Sequence, residues 1–344
     1  MNTSTDPSVS NEHRLPVSDT NRRPVYGYHR LQRCDASPRW WRPLVVGLLA
    51  AGLYVGTLVV IAVIVIVVGL AVPSMALAAS ESWDGDVDLG NPVTFALLLG
   101  SLVLMLPALL IATRLKGSHP VGLLSSVTGR LRFRWLWTAT VLAFAVWAPV
   151  MAVWVTVEAA TGTLQVRHVA PGTTLTLLLV TLALVPFQAA AEEYVFRGYL
   201  AQLVGSWLRH PAFAVLLPVP LFIAGHGYGT LGSVDVGAFA VMCGWLAYRT
   251  GGLEAPIALH VANNVVLMSI SALGFGDPNA TDTSLLGLGV SLAMMAVFTV
   301  LVTRRADALG IARTRLVTPL TEASVTADPA AGTSPHVEVG GHTS

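Results

Sequence analysis

About eight apolar segments, each close to the roughly 20 residues needed to cross a bilayer core, leave this chain few options other than a bundle of membrane helices. They run over residues 44–72, 93–113, 136–157, 173–195, 211–226, 234–248, 255–272 and 283–302, the fifth and sixth being the shortest. The composition agrees, with 54% hydrophobic and 11% charged residues among 344. Such a chain cannot hide its apolar surface in a soluble core of ordinary size. The expected fold is therefore all-α: a polytopic transmembrane helical bundle of about eight spans around a buried polar chamber.

The loops order these spans. Arg and Lys collect on the cytoplasmic side of a membrane protein, whereas acidic residues carry little topological weight. Arg39 and Arg42 precede the first span, and Glu81, Asp84, Asp86 and Asp88 follow it. Arg114, Lys116, Arg130, Arg132 and Arg134 follow the second, and Arg304 and Arg305 follow the last. This alternation places the chain in the cell membrane as a multi-pass protein with both termini cytoplasmic. Residues 1–42 and 304–344 are rich in small and polar residues without periodicity, so they read as disordered cytoplasmic tails around a membrane domain over 43–303. The first apolar run begins after a long polar stretch and exceeds a cleavable signal segment, so it reads as a retained span.

A net charge of +1 and the lack of a basic patch in the body exclude nucleic acid as a partner. The bilayer itself is the first partner. Arg130-Leu131-Arg132-Phe133-Arg134-Trp135 reads as an interfacial anchor, with a binding surface for acidic lipid as the alternative. Cys34 and Cys243 lie in unlike surroundings and read as free thiols, Cys243 as a small core residue.

Ionised side chains near the bilayer centre cost about 2.5–3.5 kcal/mol each even on the lenient insertion scale, so the polar residues inside these segments need a reason. The fourth segment ends in Glu192-Glu193-Tyr194-Val195-Phe196-Arg197. Glu193 and Arg197 are four apart and share a helix face, where an ion pair makes both tolerable. Glu192 points about 100° away and lacks that partner. An unpaired carboxylate among apolar groups is suited to taking up and returning a proton, which outlines a general base. One buried network of all three charges is the plain alternative. Further on, Phe222 and His226 are four apart, as are His260 and Asn264. Neutral imidazole ligates zinc, and an amide ligates, orients or donates to an oxyanion. A carboxylate, two histidines and an amide on three apolar segments are costly enough together to point to one site.

Other intramembrane chemistries fail on their residues. The chain has no His-Glu-x-x-His and no Gly-x-Ser-x-Gly. Gly274-Phe275-Gly276-Asp277 is similar to the motif of intramembrane aspartyl proteases, but a dyad needs two carboxyls sharing a proton and the apolar segments are expected to hold no second aspartate, so Asp277-Pro278-Asn279 reads as a turn.

Glu192-Glu193-x-x-x-Arg197, Phe222-x-x-x-His226 and His260-x-x-x-Asn264, in this order and each on an apolar segment, resemble the three motifs of the CAAX protease and bacteriocin-processing (CPBP, or Abi) family, which includes the Rce1-type prenyl-protein endopeptidases. The resemblance covers roughly residues 92–302. It implies an intramembrane endopeptidase that hydrolyses a peptide bond of a membrane-associated peptide or protein, prenylated or bacteriocin-like. Carried over, it implies Glu192 as activator of the water, His226 and His260 as metal ligands or oxyanion donors, and Asn264 as completing the site. Glu193, Arg197 and Phe222 become structural support. Glu192, His226 and His260 form a catalytic ligand set for Zn2+, which leaves Glu192 as either ligand or base. The rival expectation is a membrane transporter or scaffold in which the same cluster relays protons or metal. The topology raises one conflict: Glu192 and His260 fall toward the cytoplasmic half and His226 nearer the outside, unless Pro218 and Pro220 shorten the fifth segment and hold His226 deeper.

Overall fold

A computed structural model of the chain describes residues 24–34, 39–71 and 88–317. The acidic residues Glu81, Asp84 and Asp86, and the outer parts of both polar tails, lie outside them. Two units are separated, residues Met1–Val25 with Leu316–Ser344 and residues Tyr26–Arg315, and every described helix belongs to the second.

Helices dominate, as expected. In chain order they are α1 (Arg42–Ala71), α2 (Pro92–Val103), α3 (Met105–Lys116), α4 (Phe133–Thr161), α5 (Pro171–Glu193), α6 (Ala201–Trp207), α7 (Pro211–Leu216), α8 (Val219–Ala224), α9 (Thr230–Thr250), α10 (Glu254–Ala272) and α11 (Leu285–Ala308). Short 3-10 helices cover Tyr28–Cys34 and Val121–Leu124, and a two-stranded sheet joins β1 (Val25–Gly27) to β2 (Thr314–Leu316). Residues 25–34 therefore carry structure within a stretch expected to be a disordered tail, and α11 runs past residue 304.

Among the described residues, seven helices are long and apolar enough to cross a membrane. Two are composite. The span Pro92–Lys116 breaks at Leu104, where Pro107 lacks the N–H that would bond the carbonyl four residues back. The span Pro171–Trp207 joins α5 and α6 through a π-helical stretch at Tyr194–Leu200, directly after the paired glutamates.

The fifth expected span is the correction. Residues 211–226 form two short helices broken at Leu217-Pro218, and at about 1.5 Å per residue they fall short of a core of roughly 30 Å. At their start Trp207 Nε1 donates to the Trp40 carbonyl, beside the entry to α1. At their end Gly229 N–H donates to the Thr281 carbonyl and Gly232 N–H to Asp282 Oδ1, in the loop between α10 and α11. Tyr28 O–H donates to the Leu124 carbonyl and Arg315 to the Val127 carbonyl, so residues 28 and 315 both meet the loop between α3 and α4.

The core sits where α4, α9, α10 and α11 meet, around Trp147, Phe239, Leu246, Leu259 and Phe298. Cys243 is buried there, as expected. Outward faces stay apolar, for example Val59, Ile66 and Leu70 on α1 and Leu175, Leu179 and Leu182 on α5, which suits a lipid solvent.

Polar contacts lock the loops. Arg132 does not act as a free interfacial anchor: its Nε and backbone N–H both reach Oε1 of fully buried Glu254 at 2.8 Å, while an Nη reaches Oε2 at 2.6 Å. This fixes the first turn of α10, two turns before His260. At the other end, Arg167 donates to the Gly276 and Ser271 carbonyls, and Gly274 and Gly276 take φ of 91° and 77° in the left-handed region that favours glycine. The Gly-x-Gly-Asp stretch lies in a turn, although Asp235 on α9 corrects the expectation that the apolar segments hold no second aspartate.

Candidate active site

Helical spacing delivers the site's side chains from three elements, the end of α5, the end of α8 and the middle of α10. Pro186 interrupts the bonding of α5 one turn ahead of the polar residues, and the π-helical stretch begins just after them. π-helical turns recur at functional sites because they displace side chains from regular helical phase.

Glu193 is fully buried and accepts from Arg197 at 2.9 Å, the expected i,i+4 pair. It does more than support the helix. The same Oε1 lies 2.8 Å from His260 Nδ1. A carboxylate can only accept, so Nδ1 donates and the His260 ring is fixed with Nε2 as its working nitrogen. Arg197, Glu193 and His260 thus form one buried chain of charge and hydrogen bonds joining α5 to α10. Arg197 also lies over the Phe222 ring, with its guanidinium carbon 4.2 Å from the centroid.

Glu192 points to the other nitrogen. Its Oε2 lies 3.7 Å from His260 Nε2 and, buried, has no hydrogen-bond partner, while Oε1 accepts from Gln188 Nε2 at 2.6 Å. Gln188 in turn accepts from Asn264 Nδ2 at 3.2 Å. Glu192 therefore lacks an arginine, as its helical phase implied, but it is not partnerless: an amide tether holds one oxygen and leaves the other free. Asn264 Oδ1 accepts from Asn263, whose own Oδ1 accepts from Trp147 Nε1 at 3.1 Å.

His226 joins the same place. Its Nδ1 is 2.7 Å from the Phe222 carbonyl, leaving Nε2 free of that contact. The Phe222 ring centroid lies 4.6 Å from the His226 ring and 6.4 Å from the His260 ring, so one aromatic side chain touches both imidazoles. Phe239 closes the other side of His260 edge-on at 5.1 Å. His226, His260 and Asn264 line one cavity of about 320 Å3. The two short helices of the fifth segment, broken at Leu217-Pro218, bring His226 to the same cavity as His260.

Gln188, Asn263, Phe239 and Trp147 are additions to the residues expected from sequence. Gln188 stands four residues before Glu192, the same spacing that marked the other pairs, and Asn263 adjoins Asn264. The expected Zn2+ set of Glu192, His226 and His260 is not gathered: among the described residues no group of three His, Cys, Asp or Glu is placed to hold a metal ion.

All of the named site residues from Gln188 to Asn264, apart from Trp147, fall in one stretch of the chain. Residues 174–266 match the family model of the type II CAAX prenyl endopeptidases, Rce1-like. The Rce1-like stretch is a little over a quarter of the chain, and includes Glu192, Glu193, Arg197, His226, His260 and Asn264. The chain is also 32% identical over 98 residues to the uncharacterized protein YyaK of Bacillus subtilis (strain 168), which covers 26% of this chain and 33% of that protein. It thus spans about a third of the length of that relative. No solved structure matches the chain.

Proposed function

We propose that the protein is an intramembrane endopeptidase that hydrolyses a peptide bond of a membrane-associated substrate, with Glu192 as the general base. One observation carries this reading: a buried carboxylate oxygen without a hydrogen-bond partner faces, across 3.7 Å, a nitrogen of His260, which lines a cavity of about 320 Å3 together with His226 and Asn264. The Rce1-like match over the same residues supports it.

In the proposed reaction Glu192 Oε2 takes a proton from a water, and the water oxygen forms a bond to the scissile carbonyl carbon. Negative charge moves to the carbonyl oxygen, where the second N–H of the Asn264 amide, and His226 Nε2 when that ring carries both protons, are the donors at hand. The C–N bond then breaks, and the proton held by Glu192 passes to the leaving nitrogen, giving a carboxylic acid and an amine. Glu193 keeps His260 oriented beside Glu192 and, tied to Arg197, stabilises any positive charge on that ring. These residues form a complete acid-base set with no metal step. A bound Zn2+ would supply Lewis acidity, and its three expected donors would first have to be drawn together.

The orientation that supports this role has both chain ends on the cytoplasmic side, following the arginines at the entry to α1 and the end of α11. Prenylated and bacteriocin-like peptides are the substrate classes consistent with the family resemblance.

The test is peptide hydrolysis by purified protein, wild type beside Glu192→Gln, with metal content measured in both. Replacing the base by its isosteric amide is expected to lower turnover at least 100-fold, the scale of general-base catalysis. Equal cleavage by both proteins removes Glu192 from the mechanism.

A further inference from the structure

The cavity lined by His226 and His260 is also lined by two carboxylates. Asp235 enters it from α9, one helical turn before Phe239, whose ring meets His260. Four residues along a helix amount to about 6 Å, a distance that a lysine or arginine side chain bridges. Oδ1 of Asp235 accepts from Ser291 Oγ at 2.7 Å, and its second oxygen has no protein partner among the described residues. Asp282 adds a second carboxylate to the wall, but Oδ1 is taken up by the backbone N–H groups of Gly232 and Thr283. The described lining contains no lysine or arginine. Trp154 and Met151 supply an apolar and aromatic side to the same space.

A half-buried carboxylate with one neutral donor is poorly compensated. A cation entering the cavity would restore the interaction that burial has removed from water. An anionic group, such as a free C-terminal carboxylate, would meet two aspartates there and no lysine or arginine to offset them. We propose that Asp235 is the specificity residue of this site and that the preferred ligand is a peptide carrying an ammonium or guanidinium group beside the bond presented to His260 and Glu192. The inference rests on the site proposed above. It concerns which peptides bind and does not depend on their being cut.

Binding is read by fluorescence anisotropy on the full chain in nanodiscs of zwitterionic lipid, with Glu192→Gln as background so that peptides persist. The probes are labelled peptides that differ only in one lysine against norleucine, each with a free or an acetylated amino terminus. The lysine or free-amine peptide is expected to bind about ten-fold tighter than its neutral partner, which is ~1.4 kcal/mol. Whichever cation carries the preference identifies the source of the charge. Asp235→Asn is expected to abolish the preference, and Asp235→Glu to retain part of it. Equal affinities, a preference that survives Asp235→Asn, or no binding by any peptide overturns the proposal. Cleavage by the otherwise unaltered protein is followed in parallel: cleavage without charge preference refutes the selectivity alone, and charge-selective binding without cleavage refutes the endopeptidase reading alone.

Discussion

Arg197 and Glu193 make the sharpest energetic test, because both are withdrawn from solvent at the heart of the bundle. Their side chains are 4% and 0% exposed, at 2.9 Å, and Arg197 also covers the face of Phe222. Losing one partner of a buried pair strands a charge and costs about 3–5 kcal/mol. Arg197→Met should therefore consume a large part of a typical stability of about 5–15 kcal/mol, and the lost contact with Phe222 adds roughly 0.5–2 kcal/mol. Glu193→Gln should cost a similar amount, since it strands Arg197, one of whose terminal nitrogens already lacks a partner.

The double variant decides the matter. With both charges gone nothing remains uncompensated, so Glu193→Gln/Arg197→Met should be no less stable than either single variant, giving a coupling of several kcal/mol. Reversible unfolding in mixed micelles, followed by far-ultraviolet circular dichroism for all four proteins, measures the cycle. Costs that simply add, or an Arg197→Met cost below about 1 kcal/mol, would place this pair with surface ion pairs and refute the reasoning.

Four further outcomes follow from the geometry. Glu254→Ala should cost about 3–5 kcal/mol by stranding Arg132 against the start of α10, and Arg132→Ala/Glu254→Ala should recover part of that loss in the same unfolding assay. Gly205→Ala would drive a Cβ into the His29 carbonyl oxygen, so it should lower thermal stability by about 1–3 kcal/mol and free the 28–34 segment to proteolysis. Burial pulls His29 below the usual histidine value of about 6.5, so the folded state favours the neutral ring: its contribution is full above that value and is lost as pH falls through the lower folded value. Hydrogen exchange of residues 28–34, corrected for intrinsic rates, should accelerate between about pH 7 and pH 5 and should not respond to pH in His29→Gln. Burial pushes the Cys34 thiol up to about 11, so alkylation at pH 8 should be much slower than for a free thiol and should speed up on unfolding.

The sequence made the membrane helices legible because lipid imposes a length and an apolar surface that no other solvent does. The candidate residues were legible for the converse reason, since polar groups inside those lengths stand out. What escaped was the partner of each polar group. Gln188 looks like an ordinary residue of an apolar helix until Asn264 is brought beside it from α10, and helical phase alone gave Glu193 to Arg197 without revealing His260. Arg132 read as an anchor because its companion Glu254 lies 122 residues away. Short-range spacing shows which side chains share a face, and only tertiary packing shows what that face meets.

The fifth segment shows why a broken span is useful here. A full-length helix from residue 211 would carry its last residues to the far surface, away from Glu192 and His260. Two six-residue helices bent at Pro218 stop short, so the Phe222 ring lies against both imidazoles and His226 remains inside the bundle. Irregular backbone at membrane depth is tolerated only where protein or a polar cavity satisfies it. The turn after α8 meets that condition, since Gly229 and Gly232 find acceptors at Thr281 and Asp282 while His226 and Tyr228 face the cavity. Shortness of the helices and the place of His226 on the cavity wall go together. Lengthening α8 by a turn between Ile223 and His226 should therefore spare the membrane fold but separate His226 from His260, and a loss of activity as large as that of His226→Ala would be its signature.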